Sequence, residues 1–272
     1  MEKTKGAISY SLFDADSDNL DLRTYVRYFH LAVRMNQLIY PGWDNLLYVD
    51  ESTYNKYHAY FNKIEKYVSI DIIGGKYEPC EAMLWRIAPF FDHNYTHVLS
   101  RDVDSITTYR ERQMVEVWID HDKTMHAITD HSSHNTPLLG GMIGARPKYW
   151  TMYTTNSYDE FMTANPFDFS YKGSDQEFLF EKVYKKVTST ITEHFMVGMP
   201  QSWNGDCHNN VPDIPVLPLD LKESNHLTGY IGQSGYSVEH VLKFLNKYQD
   251  RADKAIFEKI EREYPKIFYW WL

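Results

Sequence analysis

The apolar positions of this chain alternate between short β-prone runs and the three-and-four spacing that is typical of helices. Residues 7–13 predict a first strand, and apolar residues recur at helical spacing from 24 to 39 until Pro41-Gly42 interrupts the pattern. Further strands are predicted at 45–49, 68–73, 96–100 and 125–129, and further helices at 54–68, 83–87, 107–119, 159–163, 175–186, 238–248 and 252–263. This alternation predicts an α/β fold with mostly parallel strands joined by helical crossovers, in a single domain over residues 1–272.

One acidic motif stands directly after a predicted strand. Asp102 and Asp104 flank a valine at the end of the strand at 96–100, so both carboxylates are expected on one side of the chain. In open α/β sheets ligands bind beyond the carboxyl ends of the strands, and paired carboxylates are the hard oxygen ligands that Mg²⁺ and Mn²⁺ prefer. Similar motifs at 14–16 and 120–122 lack this context, so the pair at 102–104 is the candidate metal site.

Composition narrows the possible functions. A formal net charge of -9, with no cluster of Lys and Arg, argues against nucleic-acid binding. The aromatic fraction of 16%, with 22 Tyr and 7 Trp, suits a cleft that stacks on bases or sugar rings, and equally an aromatic core. The first residues are not followed by an apolar signal region or a membrane-spanning run, so we expect a soluble, cytoplasmic protein.

Several short motifs, taken in their order along the chain, resemble glycosyltransferases of bacteria and large DNA viruses, those of chloroviruses above all. They are Tyr40-Pro41-Gly42-Trp43, Met83-Leu84-Trp85-Arg86, Arg101-Asp102-Val103-Asp104-Ser105, Arg110-Glu111, Val117-Trp118-Ile119, Asp130-His131, His134, Leu139-Gly140-Gly141-Met142, Gly144 and Asp175-Gln176. The resemblance covers about two thirds of the chain. It implies a GT-A (Rossmann-like) fold with a nucleotide-binding half at 1–105 and an acceptor-binding half at 106–272. It also implies a nucleotide-sugar donor, with UDP-sugars favoured, and Mn²⁺ or Mg²⁺ at Asp102 and Asp104.

The same resemblance suggests a third metal ligand. His226 is similar to the late His-x-x-Gly of retaining GT-A enzymes related to glycogenin, in which the histidine completes the metal site. The sequence departs from that family at residues 233–236, where Gln-Ser-Gly-Tyr replaces Lys-Pro-Trp. A surface histidine, with water as the third ligand, is the alternative.

Catalytic candidates follow the metal motif. Asp175 and Gln176 resemble the acidic element that GT-A enzymes place near the sugar carbon C1 and the acceptor, where a carboxylate acts as a general base or stabilises positive charge. Asp175 could instead be a simple helix cap. Asp130, beside His131 and close to His134, is expected to shape the acceptor pocket or to supply the base; capping and hydrogen bonding within the loop are the alternative.

Four further residues are candidates for donor binding. Arg86 and Arg101 are expected to contact the diphosphate, because a guanidinium is a forked and permanently charged donor; an ion pair with a carboxylate is the alternative for both. Ser9 and Tyr10 lie near the end of the first strand, where GT-A enzymes accommodate the base, and Tyr10 is a candidate for stacking on it. Half of such strand residues face the core instead.

The leading hypothesis is metal-dependent transfer of a sugar from a nucleotide-diphosphate donor to a glycan or another hydroxyl acceptor. A sugar nucleotidyltransferase is the first alternative, although residues 9–19 lack the glycines of its usual phosphate loop. The second is a carbohydrate-binding protein without catalysis.

Overall fold

A computed structural model describes residues 5–13, 22–105, 107, 109–129 and 136–195. The strands are Gly6–Leu12 (β1), Asp44–Asp50 (β2), Ser69–Ile73 (β3), His97–Arg101 (β4), Met125–Thr129 (β5), Met142–Ala145 (β6) and Ile191–Phe195 (β7). The α-helices are Leu22–Ile39 (α1), Glu51–Phe61 (α2), Pro79–Ala82 (α3), Tyr109–Asp120 (α4), Pro147–Trp150 (α5), Tyr158–Ala164 (α6), Ser174–Leu179 (α7) and Lys185–Val187 (α8). Short 3-10 helices span Glu65–Tyr67, Trp85–Phe91 and Thr188–Thr190, and a π-helix spans Phe180–Tyr184.

The seven strands form one sheet in the order β3-β2-β1-β4-β6-β5-β7. β1 pairs in parallel with β2 and β4, and β5 pairs in parallel with β7. Only β6 runs antiparallel to its neighbours β4 and β5. The predicted fold class, a mixed and mostly parallel sheet flanked by helices, is therefore confirmed. Within the sheet, β3-β2-β1-β4 has the order of one half of a doubly wound sheet.

Both faces of the sheet are covered, which explains why β1, β4 and β5 are buried along their whole length. Successive residues of β1 point to opposite faces, so Ile8, Tyr10 and Leu12 pack with α1 while Ala7 belongs to the other core. That second core contains Phe90 of the 3-10 helix Trp85–Phe91, together with Trp150, Phe178 and other side chains from the helices after β6. Packing on both faces thus holds the sheet in place, and the loops after its strands begin at well-defined positions.

Several predicted boundaries change. The helix predicted at 54–68 ends at Phe61, and the one at 175–186 is divided by the π-helix. β6 and β7 were not predicted, because β6 has only four residues and β7 carries polar residues at its centre. The predicted helices at 238–248 and 252–263 lie outside the described residues. None of the described helices is long and apolar enough to cross a membrane.

Candidate functional site

Asp102 and Asp104 lie in a turn that begins where β4 ends. The amide of Ser105 donates to the carbonyl of Asp102 at 3.0 Å, which closes the turn. Val103 between them is only 6% exposed and packs in the core, so it anchors the turn, while both aspartates remain half-buried. β4 lies beside β1, from which the chain first runs outward to β2 and β3. The motif therefore stands at the topological switch point, where doubly wound sheets bind ligands.

Arg86 provides the positive charge of this site. It comes from the 3-10 helix Trp85–Phe91, is almost fully buried, and forms an ion pair with Asp102. Gly140 and Gly141 pass so close that a Cβ on the first would overlap the Arg86 guanidinium and one on the second the Asp102 carboxylate. The two glycines thus make the room in which the ion pair forms.

Asp104 is the carboxylate with the most perturbed titration in this cluster. Its pKa is raised to about 7, first by burial and then by the negative charge of Asp102, while Arg86 acts in the opposite direction. Two neighbouring carboxylates with one guanidinium between them leave excess negative charge. A divalent cation would relieve that excess, so the two side chains fit Mn²⁺ or Mg²⁺ in charge and ligand chemistry.

The described residues do not complete a metal site by themselves. They contain no group of three or more His, Cys, Asp or Glu side chains that could hold an ion together. The proposed third ligand, His226, lies outside the described residues, as do Asp130, His131 and His134. Diphosphate oxygens and water are the other ligands that would complete octahedral coordination.

Asp175 lies near the same cluster. It is 4% exposed at the second position of α7, and its pKa is raised, first by burial, with Arg86 opposing and Asp102 adding to the shift. Gly173, with φ of 88°, occupies the N-cap, so Asp175 is not the cap residue of this helix. Gln176 beside it is half-buried. The structure therefore brings Asp175 within electrostatic range of Arg86 and Asp102. The order of these residues along the chain does not by itself require that proximity.

The prediction for Arg101 was wrong. Its side chain is 1% exposed, and its Nε donates to Glu111 Oε1 at 2.8 Å. Its Nη1 donates to the carbonyls of Ser100 and Ile143 at 2.7 and 2.8 Å. Arg101 therefore ties β4 to β6 and α4 inside the protein, where a diphosphate does not reach it.

The prediction that Tyr10 stacks on a base was also wrong. Tyr10 is fully buried against Phe29, with ring centroids 5.1 Å apart, and its hydroxyl accepts from Asn36 Nδ2 at 2.6 Å. Ser9 points to the opposite face of β1 and is likewise fully buried. Both side chains lie in the sheet interior and are not exposed to a ligand.

Sequence reasoning missed the aromatic side chains that do stand at this edge of the sheet. Phe13, directly after β1, contacts Tyr77 and Trp85 at centroid distances of 6.0 Å, and Tyr77 lies 4.8 Å from Trp85. Tyr25 of α1 is within electrostatic range of the Asp102 and Asp104 turn. Burial raises the pKa of Tyr25, and the negative charges of Asp104 and Asp102 raise it further. No spacing rule identifies these residues, since they come from separate loops and helices.

A cavity of about 820 Å³ opens beside these aromatic rings, at the carboxyl ends of β2 and β3. Asp50 and Ile73, the last residues of the two strands, line it together with Tyr77, Glu78 and Glu81. The cavity and the Asp102 and Asp104 turn thus share one edge of the sheet, with the aromatic cluster at the end of β1 close to both.

Comparisons with known proteins find distant likeness in structure only. No protein-family model matches the chain, and no curated protein matches it in sequence. TarS 1–349 of S. aureus, in complex with UDP-GlcNAc, aligns with a TM-score of 0.46 and 11% identity over 70% of this chain and 56% of its own. A protein assigned as a glucose-1-phosphate thymidylyltransferase of Bacillus anthracis aligns with a TM-score of 0.45 and 10% identity over 72% of this chain and 88% of its own. The 4-diphosphocytidyl-2C-methyl-D-erythritol synthase of Anaerococcus prevotii aligns with a TM-score of 0.42 and 10% identity over 75% of this chain and 93% of its own.

Proposed function

We propose that this protein is a divalent-metal-dependent glycosyltransferase that moves a sugar from a nucleotide-diphosphate donor, UDP-sugars being favoured, to a hydroxyl acceptor such as a glycan. The observation that carries the proposal is the cluster of Asp102, Asp104, Asp175 and Arg86 at the switch point of the sheet. Three carboxylates within electrostatic range of one guanidinium repel an anion that arrives without a cation. They suit a diphosphate that arrives with a cation.

The donor nucleoside would occupy the cavity at the ends of β2 and β3. Tyr77 presents an aromatic ring there, and Glu78 and Glu81 supply carboxylate acceptors for the N–H groups of a base. From this cavity the diphosphate would extend past the aromatic cluster toward Arg86. The order of groups along the edge then matches the order of groups in a nucleotide sugar: base, diphosphate, sugar.

Asp102 and Asp104 would hold Mn²⁺ or Mg²⁺ against the diphosphate. When bound, the cation would neutralise the charge that develops on the leaving nucleoside diphosphate. Arg86 would donate to the same oxygens, because its ion pair with Asp102 already places the guanidinium beside the metal ligands. The two glycines at 140 and 141 leave room for this approach.

Asp175 would act at the reacting sugar carbon. A buried carboxylate whose pKa is raised is a suitable general base for an acceptor hydroxyl, and in its ionised form it stabilises an oxocarbenium-like centre. Gln176, half-buried next to it, would hydrogen-bond the sugar. Asp130 remains a proposed acceptor-side residue on sequence grounds alone.

The test must separate glycosyl transfer from nucleotidyl transfer. The purified chain is incubated with Mn²⁺ and a panel of nucleotide sugars, and in parallel with nucleoside triphosphates and sugar 1-phosphates. We expect nucleoside diphosphate and free sugar from the first set, through slow hydrolysis without acceptor, and no pyrophosphate from the second. Pyrophosphate release would establish the nucleotidyltransferase alternative, and inactivity in both sets, with saccharide binding retained, would establish a non-catalytic binding protein.

A further inference from the structure

A second cavity, of about 880 Å³, opens at the amino ends of β2 and β3, at the opposite edge of the sheet from Asp102 and Asp104. Three aromatic side chains line it, Trp43, Tyr67 and Tyr95, and all three are half-buried. The proposed transfer reaction uses none of these residues. Since β2 has seven residues, the two edges are separated by roughly 20 Å at about 3.3 Å per residue.

Trp43 is held in one position by its neighbours. Its indole lies so close to Gly6 that any Cβ at that position would overlap the ring. It also contacts the buried Tyr40, with ring centroids 4.9 Å apart and planes at 40°. The indole is therefore a fixed apolar surface on the cavity wall, and ligand binding there would require little ordering of the side chain.

Hydrogen-bonding groups of both kinds surround the aromatic rings. The hydroxyl of Tyr95 donates to Asp44 Oδ2 at 3.1 Å, and the carboxylate of Asp44 is exposed. Lys66 lies 4.7 Å from the centre of the Tyr67 ring, and Glu65 precedes it on the cavity wall. Arg34 lies 4.1 Å from the centre of the same ring, and Lys5 lies 4.8 Å from the centre of the Tyr95 ring. Cationic and carboxylate groups therefore nearly balance around the cavity, which suits a neutral ligand more than a phosphate or a polyanion.

We infer that this cavity binds a neutral saccharide, remote from the transfer centre. A sugar ring has an apolar C–H face, which packs on an aromatic ring such as the Trp43 indole, and hydroxyls that donate to carboxylates and accept from cationic groups. The inference rests on the proposed function in one respect, namely that the saccharide is a stretch of the glycan acceptor. Binding itself needs neither donor nor metal.

The test measures binding to the full chain without nucleotide or metal. Neutral hexasaccharides of glucose, mannose and N-acetylglucosamine are titrated to about 10 mM, enough to saturate a site with a Kd near 1 mM, while indole N–H signals are followed by NMR. The signal that is absent from Trp43→Phe identifies Trp43. We expect at least one saccharide to shift this signal, and its affinity to fall at least about tenfold in Asp44→Ala, an exposed substitution that should not disturb folding.

The inference would be overturned if no saccharide moves the Trp43 signal, or if saccharide binding is unchanged in both Asp44→Ala and Trp43→Phe. A shift caused by UMP and not by saccharides would also overturn it. UDP binding with Mn²⁺, measured by calorimetry on Asp44→Ala, should equal that of wild type. A wild-type chain that binds saccharide at Trp43 but not UDP would refute the proposed donor site and leave this cavity as a saccharide site.

Discussion

At the scale of single residues, the candidate site is defined by burial and unbalanced charge. Asp102 has a guanidinium partner, whereas Asp104 has a raised pKa near 7 because burial and Asp102 both oppose its ionisation. Arg101, the neighbouring residue in the motif, is instead paired inside the protein with Glu111. Adjacent residues of one motif thus have different surroundings: the aspartates lie at the strand end, where we propose that they bind the metal, and the arginine supports the protein interior.

Asp104→Asn should abolish metal-dependent donor binding without destabilising the fold. The pKa of Asp104 is higher in the folded chain than its ordinary value of 3.8. The unfolded chain therefore ionises this group at a lower pH than the folded chain does, so the free energy of unfolding falls as pH rises from about 4 to 7. We expect metal-free Asp104→Asn to melt no lower than wild type at about pH 8, and to lose the stabilisation by Mn²⁺ with UDP. Asp120→Asn, which changes an exposed carboxylate on α4, is the control. If Asp104→Asn unfolds and Asp120→Asn does not, Asp104 is a structural residue.

Asp175→Asn should affect turnover more than donor affinity. The carboxylate is expected to act on the reacting carbon or the acceptor, so turnover should fall about 10²-fold or more while the donor Kd changes less than about twofold. Steady-state kinetics and calorimetry measure the two quantities. Asp159→Asn changes a carboxylate in the first turn of α6 that is exposed, and should leave both unchanged. Near-native turnover in Asp175→Asn would remove this residue from the mechanism.

At the scale of elements, the short connections contribute more side chains to the wall of the candidate site than the long helices do. The aromatic residue Tyr77, on the loop after β3, reaches both Phe13 after β1 and Trp85 of the following 3-10 helix. Three separate segments thereby form one wall near the strand ends. The base-stacking residue predicted from the sequence lies on β1 itself, where both alternating faces are covered by core.

Tyr77→Ala should weaken donor binding about threefold to tenfold, the effect expected when one aromatic contact with a base is lost. Calorimetric titration with UDP and Mn²⁺ measures it. Tyr149→Ala is the matched control, because Tyr149 is half-buried on α5, where its ring contacts Arg146. Equal Kd values for Tyr77→Ala and wild type would place the base elsewhere.

β7 and the π-helix share a buried carboxylate that should make stability depend on pH. Tyr184 donates to Glu193 Oε1 at 2.9 Å, and burial raises the pKa of Glu193 from 4.5 to about 7. The unfolded chain ionises first, so the free energy of unfolding should fall as pH rises from about 4.5 to 7. Glu193→Gln should reduce this fall and melt higher than wild type at about pH 8. Glu177→Gln is the control, since Glu177 also accepts from a tyrosine, Tyr171, but is exposed; identical pH profiles for Glu193→Gln and wild type would contradict the shift.

At the scale of the whole molecule, the fold concentrates negative charge at one strand edge of a chain whose net charge is already -9. A diphosphate approaching Asp102, Asp104 and Asp175 meets repulsion that Arg86 alone does not cancel. UDP affinity should therefore drop at least about tenfold when EDTA replaces Mn²⁺ in a calorimetric titration. Equal affinity in the two buffers would remove the metal from the proposed function.

The amino-acid sequence by itself determined the α/β class, most strand positions and the placement of Asp102 and Asp104 after a buried strand, because these follow from local hydrophobic periodicity and turn residues. Only the tertiary structure decided which polar residues face the cleft. The alternation along β1 is compatible with either face, so the sequence did not exclude an accessible Tyr10. In the structure, α1 covers the face on which Tyr10 lies. Arg101 and Arg86 look alike in sequence, and their roles differ because Glu111 lies beside one and Asp102 beside the other. The paired residues are 10 and 16 positions apart and lie on different elements, so the packing of β4 against α4 and the 3-10 helix decides the pairs, and no local pattern encodes them.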